Sequence, residues 1–320
     1  MDLQLVFLGT AGATPTVERG SPAVLLLRGG ERMLIDCGEG TQRQLMRSVG
    51  LARIGTILIT HLHGDHYLGL PGLLKTYSLL GREEPLLLYG PSGLYELMRD
   101  AERFMGRPRF PFLVEEVSPG PVLENEEYSL VTAATDHGLP GIAWCLDEKP
   151  RPGLFHPERA VELGITPGPD FGRLQRGESV LAADGREVRP DQVMEGSRAG
   201  RKIVVTGDTR PASSVVDLAR GASVLVHDST FGVSELARAL ETGHSTAQEA
   251  AEVAVSAGVQ TLVLTHISSR HTWKELRDEA RSIFPSALLP RDFDTLVVPY
   301  PEKGQAWRLL KSEVPAARTH

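Results

Sequence analysis

The chain has 320 residues, 41% of them hydrophobic and 23% charged, with a formal net charge of -7. That length leaves room for a full core, while the negative balance excludes nonspecific capture of nucleic acid by the surface as a whole. No apolar run approaches the roughly 20 residues that span a bilayer, and two cysteines, Cys37 and Cys145, exclude a disulfide framework or a thiolate zinc cluster.

The opening Met1–Leu8 is acidic and short and leads into Gly-rich turn chemistry, so it reads as a first strand and not a secretory leader. A reducing cytoplasm is the expected setting. Apolar, branched runs at Leu3–Leu8, Ala23–Leu27 and Arg32–Cys37, separated by Gly/Pro clusters, predict short strands. An amphipathic helix is predicted over Glu39–Val49, followed by a buried strand at Gly55–Thr60. Helices are expected at Leu68–Leu80 and Ser92–Phe104, with strands near Leu86–Tyr89, Phe112–Val117, Ser129–Ala134 and Gly141–Leu146. From Lys149 to about Gly200 the texture turns rich in Gly, Pro and Arg, with one predicted helical piece, His156–Leu163. A long segment of this kind inside a compact domain reads as a functional excursion. Strands at Lys202–Val205, Ser223–Val226, Thr261–Leu264 and Leu296–Val298 then alternate with helices at Ser245–Ala257 and Trp273–Ile283, and Val314–His320 is expected to fray. Strands interleaved with helices in both halves predict an α/β fold of two sheets between helical layers.

The segment Thr60-His61-Leu62-His63-Gly64-Asp65-His66 sets three imidazoles and a carboxylate where a buried strand ends. Such ligands suit zinc. Alternation along an extended chain puts His61 and His63 on one side. Gly64 permits a sharp turn, after which Asp65 and His66 can face a neighbouring position, so two adjacent metals use the four better than one. Buried without a cation, the cluster would strand its polar groups. His137, Asp208 and His266 each follow an apolar strand. Singly, each is as readily an ordinary polar residue at a strand end; together they complete two shells, with Asp208 able to bridge. His244, at the start of a helix, is either a solvated neighbour of an N-cap at Ser245 or a proton donor. Arg270 is either a surface ion pair or a bidentate holder of phosphate.

At these residues the chain resembles the metallo-β-lactamase superfamily, whose His-x-His-x-Asp-His motif stands at His61–His66. Within it, the chain is similar to the ribonuclease Z family in its short form. The likeness is carried by Phe7-Leu8-Gly9-Thr10, Asp36-Cys37-Gly38-Glu39-Gly40-Thr41, Gly69-Leu70-Pro71-Gly72, Gly207-Asp208-Thr209, Gly243-His244-Ser245-Thr246 and Thr265-His266-Ile267-Ser268-Ser269-Arg270. It covers nearly the whole chain.

The resemblance implies a four-layer αβ/βα metallo-β-lactamase sandwich with an inserted flexible arm. One domain would occupy 1–148 and 200–312, a tRNA-binding arm 149–199 and a tail 313–320. It implies an endoribonuclease that removes the 3′ trailer from precursor tRNA through a metal-held hydroxide, leaving a 3′-hydroxyl on the tRNA. Two zinc ions per subunit would be held by His61, His63 and His137 on one side and Asp65, His66 and His266 on the other, with Asp208 shared; Mn2+ or Fe2+ is compatible with the same ligands. Asp65 would accept a proton. His244 would donate one, paired with Asp228 in His227-Asp228-Ser229-Thr230, where family members usually carry Glu.

Between Lys149 and Lys202 stand 10 Lys/Arg and 8 Asp/Glu, against 24 and 33 in the remainder. This is the one extended stretch with a positive balance. The resemblance makes it the arm that grips tRNA, with Arg151, Arg159, Arg173 and Arg176 on phosphates, and it implies a homodimer. A small-molecule phosphodiesterase, arylsulfatase or lactonase of the same fold would share the metal ligands but need neither the arm nor His244 with Asp228. A noncatalytic RNA-binding protein would need no intact ligand set.

Overall fold

The computed structural model describes residues 2–51, 53–303 and 308–310; the expected tail at 313–320 lies outside them. The chain divides into two units, Met1–Asp147 with Arg201–His320, and Glu148–Gly200. The first half runs β1 (Leu3–Gly9), β2 (Ala23–Arg28), β3 (Glu31–Ile35), α1 (Thr41–Arg47), β4 (Thr56–Leu58), α2 (Gly64–Tyr67), α3 (Leu70–Leu79), β5 (Leu86–Gly90), α4 (Leu94–Met105), β6 (Phe112–Glu116), β7 (Gly120–Glu124), β8 (Tyr128–Ala134) and β9 (Ile142–Glu148). The second unit holds α5 (Pro157–Glu162), α6 (Pro169–Gln175), β10 (Val180–Leu181), β11 (Glu187–Val188) and α7 (Pro190–Val193). The first unit resumes with β12 (Lys202–Val205), α8 (Ser213–Ala219), β13 (Val224–Asp228), α9 (Leu236–Thr242), α10 (Ala247–Ala257), β14 (Leu262–Thr265), α11 (Trp273–Arg281), β15 (Thr295–Val297) and β16 (Arg308–Leu310).

Two sheets form the first unit, in the orders β16-β15-β1-β2-β3-β4-β5-β6 and β14-β13-β12-β9-β8-β7. Their strands are apolar on both faces because both faces are covered, and the period of two assigns each side chain to a layer. Leu3, Leu5 and Phe7 of β1 point between the sheets, where they join Trp144, Leu146, Ile203 and Val205. Val6 and Leu8 point the other way, against Leu73, Leu74 and Met98 of α3 and α4. On the second sheet, Val204, Leu225 and Leu264 pack outward on Val215, Ala250 and Leu276 of α8, α10 and α11. The result is the expected metallo-β-lactamase sandwich of helix, sheet, sheet and helix. Strand β4 is parallel to β3 and β5, and β12, β13 and β14 are mutually parallel. Their carboxyl ends carry Thr60-His61, Asp208, Asp228 and His266, the rim where open α/β sheets bind ligands.

Strand β7, helix α8 and the excursion differ from sequence expectation for physical reasons, and α2, α9 and β16 are likewise unexpected. Strand β7 carries Pro121, is largely exposed and pairs with β8 through a register shift, all marks of an edge that lacks an alternating signal. Helix α8 is short and places Val215 and Val216 in a helix, against their strand preference. The Gly/Pro-rich excursion holds three helices and a hairpin where one helix was expected, around a core of Ala160, Ile165, Leu174, Val180, Val188 and Val193. Each of its helices starts at a proline, Pro157, Pro169 or Pro190, whose fixed φ suits a first helical position. That punctuation was the available clue, since the elements are too short to show periodicity. Among the described residues, no helix is long and apolar enough to cross a membrane.

Trp144 joins the two sheets directly: its indole, buried in the inter-sheet core, donates from Nε1 to the Ile59 carbonyl at 3.0 Å, just before His61. Trp144→Phe keeps an aromatic ring but orphans that carbonyl, so it should cost about 1–3 kcal/mol in denaturant unfolding. An unchanged unfolding midpoint would remove this bond from the account.

Candidate metal centre

Strand β4 delivers His61 into the space between the sheets, where it bridges to Gly141 while the Ile142 amide donates to the Thr60 carbonyl at 2.9 Å. Four side chains then converge: His61, His63, His137 and Asp208 offer ligand atoms all within 4.8 Å of one another. His63 Nδ1 lies 3.1 Å from His61 Nε2 and 3.0 Å from His137 Nε2. Asp65, His66 and His266 form a second group by the same measure. Asp208 reaches both: Oδ2 lies 3.5 Å from His61 Nε2 and 3.3 Å from His266 Nε2, and Oδ1 lies 3.4 Å from His66 Nε2. All seven residues expected from the sequence are therefore brought together.

Two atoms test whether a cation fits here. His66 Nε2 and Asp208 Oδ1 face each other at 3.4 Å, buried and with no hydrogen-bond partner of good geometry among the described residues. Each such group costs about 1–3 kcal/mol if left unsatisfied, and both turn into the cage. A divalent ion accepts lone pairs from both, and imidazole with carboxylate suits Zn2+, Mn2+ or Fe2+. The donor set fits a metal.

Burial drives His61 well below the usual histidine range, helped by the neighbouring His66 and His137 and opposed by Asp208. His63 is lowered by burial and by His137. Both are thus favoured as neutral imidazoles, the form a metal would require. For His66 burial pulls downward, but Asp208 and Asp36 outweigh it and raise it well above the usual range. Burial would raise Asp208, yet His266, His66 and His61 hold it far below a normal carboxyl. Asp65 is likewise lowered, its burial outweighed by His266 and His66.

The outer nitrogens are anchored in turn, which fixes ring orientation and tautomer. His66 Nδ1 donates to Asp36 Oδ2 at 2.7 Å, and Asp36 also takes the Thr60 amide and hydroxyl at 2.8 and 2.9 Å. Asp36 adopts the left-handed backbone region with φ of 57° to do so. His137 Nδ1 donates to the Gly243 carbonyl at 2.6 Å, and His266 Nδ1 to Thr230 Oγ1 at 2.7 Å. The roles of Asp36, Thr230 and Gly243 escaped sequence reasoning; an acid set directly after an apolar strand, as in Leu34-Ile35-Asp36, was the one signal for Asp36. Glycine is required at position 207: φ is 65°, and a Cβ there would stand 2.5 Å from Thr60 Oγ1. Only glycine lets the Asp208 turn lie against the His61 strand.

Beside the cage, His244 Nδ1 donates to Asp228 Oδ2 at 2.8 Å, so the shorter aspartate does span the gap. Asp228 is fully buried and also accepts from the Thr209 amide at 3.0 Å and the Thr230 amide at 2.9 Å. His244 stacks on His266 with centroids 5.0 Å apart. Burial lowers its pKa, but the charge and hydrogen bond of Asp228 prevail and bring it to about 9. Asp208, His244 and His266 also lie close enough to share an ion, although Asp228 already occupies His244 Nδ1. The cap of α10 is Thr246, in a capping box with Glu249, and not Ser245, whose hydroxyl donates to the Thr209 carbonyl at 2.7 Å.

Arg270 is half-exposed and engaged, with Nε 2.9 Å from Glu235 Oε1 and NH2 2.8 Å from the same oxygen. In the second unit, Arg151 donates to the Ala199 carbonyl at 3.2 Å, Arg173 pairs with Glu178 and Asp170 at 3.1 and 3.3 Å, and Arg176 with Glu178 at 3.3 Å. Arg159 is exposed on α5.

Residues 16–266 match the metallo-β-lactamase superfamily. The chain is 47% identical over 297 residues to a ribonuclease Z from Gemmatimonas aurantiaca, covering 91% of this chain and 95% of that one. It is 46% identical over 309 residues to a ribonuclease Z from Natronomonas pharaonis, covering 95% and 100%. The crystal structure of human tRNase Z, short form, superposes with a TM-score of 0.68 at 30% identity, covering 92% of this chain and 99% of that one.

Asp36→Asn removes the charge that holds His66 in place. Metal affinity should fall about 10- to 100-fold in a chelator competition titration; equal affinities would show that Asp36 serves the fold alone.

Proposed function

Since the chain belongs to the ribonuclease Z family of the metallo-β-lactamase superfamily, we propose that this site hydrolyses the phosphodiester joining a tRNA to its 3′ trailer. The observation that carries the reading is the Asp228–His244 pair beside the ligand cage. The cage suits many hydrolases of the superfamily, whereas a buried acid pair serves a poor leaving group such as a ribose 3′ oxygen.

We assign His61, His63 and His137 to one zinc, Asp65, His66 and His266 to a second, and Asp208 to both. A bound divalent ion supplies Lewis acidity, lowering the pKa of a water toward about 7 and drawing charge from the phosphate. Asp65, ionised and part-exposed, takes the proton of the attacking water. His244, with Nδ1 given to Asp228, turns Nε2 toward the leaving 3′ oxygen. The charge and hydrogen bond of Asp228 favour the protonated ring, and that proton is lost as the pH rises. The products are a tRNA ending in a 3′-hydroxyl and a trailer beginning with a 5′-phosphate.

Arg270 would hold a flanking phosphate by exchanging Glu235 for it. Residues 149–199 form the tRNA-gripping arm, with Arg151, Arg159, Arg173 and Arg176 as its phosphate contacts, and the active species is a homodimer. A reducing cytoplasm keeps the two buried thiols of Cys37 and Cys145 free.

The test is to incubate the protein with an end-labelled precursor tRNA and map the new 3′ end. A matured tRNA with a 3′-hydroxyl is expected, and His244→Ala should slow its formation about 10²- to 10⁴-fold with bound metal unchanged. Turnover of small diesters without any precursor cleavage would sink the reading. Deleting Arg151–Arg189 should abolish precursor processing yet spare bis(p-nitrophenyl) phosphate hydrolysis; equal loss of both would make that segment structural.

A further inference from the structure

The turn that carries His244 is tied to the strand-end loops by a residue outside the ligand cage. Arg210 follows Asp208 and Thr209 past the end of β12. Its guanidinium grips Asp136 in a fork, Nε to Oδ2 at 3.1 Å and NH2 to Oδ1 at 2.6 Å. The Arg210 amide donates to the Asp136 carbonyl at 2.9 Å, and the Asp136 amide to Thr209 Oγ1 at 3.0 Å. The two loops bearing Asp208 and His137 are thereby fastened residue to residue. The remaining guanidinium nitrogen, NH1, crosses to α9 and donates to the Leu240 carbonyl at 3.1 Å.

That last bond falls on the final turn of the helix, where carbonyls lack helical partners and a cation is favoured. The helix closes in a left-handed Gly243 with φ of 77°, and His244 follows at once. Gly243 offers its carbonyl to His137 Nδ1 at 2.6 Å, and a Cβ there would crowd that nitrogen at 3.0 Å. Two side chains, Arg210 and His137, therefore reach the carbonyls of this turn. His137 lies in the ligand cage, while the side-chain hydrogen bonds of Arg210 go to Asp136 and Leu240 outside it.

We infer that Arg210 is a positioning residue: its fork on Asp136 and its bond to Leu240 fix the end of α9, and so the reach of His244 toward a leaving oxygen. A bidentate fork confers direction as well as charge, which an ammonium in the same place would not. Small displacements of a proton donor are costly, because a misplacement of about 1 Å can lower a rate about 10²-fold. The pair is half-exposed, so its removal perturbs geometry more than stability.

The inference rests on the precursor-cleaving reading, and two substrates separate the failure of one from the failure of the other. Precursor tRNA leaves through a ribose 3′ oxygen that needs a proton; bis(p-nitrophenyl) phosphate leaves as a phenolate that does not. In the metal-loaded full-length protein, Arg210→Ala should lower kcat on precursor tRNA between about 10- and 100-fold, with KM little changed. The fall on the activated diester should be several-fold smaller, with bound metal equal to the parent. Arg210→Lys, which keeps the charge without the fork, should fall between the two and serves if the alanine variant does not fold. Equal loss on both substrates, or loss of metal, would overturn the assignment and leave Arg210 as support for His137. Unchanged rates on both would reduce it to a surface ion pair. Absence of precursor cleavage by the unsubstituted protein would instead defeat the functional reading itself.

Discussion

The site is organised around one buried anion, the Asp208 carboxylate. It lies 3.3–3.6 Å from imidazole nitrogens of His61, His66, His137 and His266, drawn from different parts of the chain. A carboxylate removed from water needs compensating positive charge, and the facing rings of His266, His66 and His61 hold Asp208 far below a normal carboxyl. Oδ1 of Asp208 and Nε2 of His66 have no hydrogen-bond partner of good geometry among the described residues. The cage thus presents buried, unsatisfied donor atoms of the kind that a divalent cation would satisfy.

Holding such an anion among rings demands that each ring be aimed, and the aiming comes from outside the cage. Asp36, Thr230 and the Gly243 carbonyl each take the far nitrogen of one ligand. Thr230 also donates to Asp228, the partner of His244, at 2.6 Å. The cage imidazoles and the Asp228–His244 pair thereby share one hydrogen-bonded frame. Much of it is built from short turns at the carboxyl ends of parallel strands, where backbone groups have no further ladder partner and side chains substitute for them. The left-handed backbone of Asp36, with φ of 57°, and of His266, with φ of 60°, is the conformational cost of pointing those residues inward.

The acidic surface and the polyanionic substrate are reconciled locally. Between Lys149 and Lys202 basic residues exceed acidic ones, 10 to 8, in a chain whose net charge is -7. Two of those arginines, Arg173 and Arg176, are matched within the second unit by Glu178 and Asp170. Arg270 is matched in the same way by Glu235. Pairing of this kind disfavours casual polyanions and favours one that presents phosphates at several places together.

The sequence by itself determined the sandwich and the cage. Runs apolar on both faces announce sheets covered on both sides, and His61, His63, Asp65 and His66 lie so near one another in the chain that local geometry alone gathers them. His137, Asp208 and His266 were legible because each ends an apolar strand. What only the tertiary structure decided were the partners: Asp36 behind His66, the Gly243 carbonyl behind His137, Asp228 reaching His244 despite its shorter side chain, Glu235 occupying Arg270, and the small core of the excursion. Periodicity reports which face of an element is buried, but a hydrogen bond between residues far apart in the chain depends on ångström-scale placement of separate strands, which no local pattern encodes.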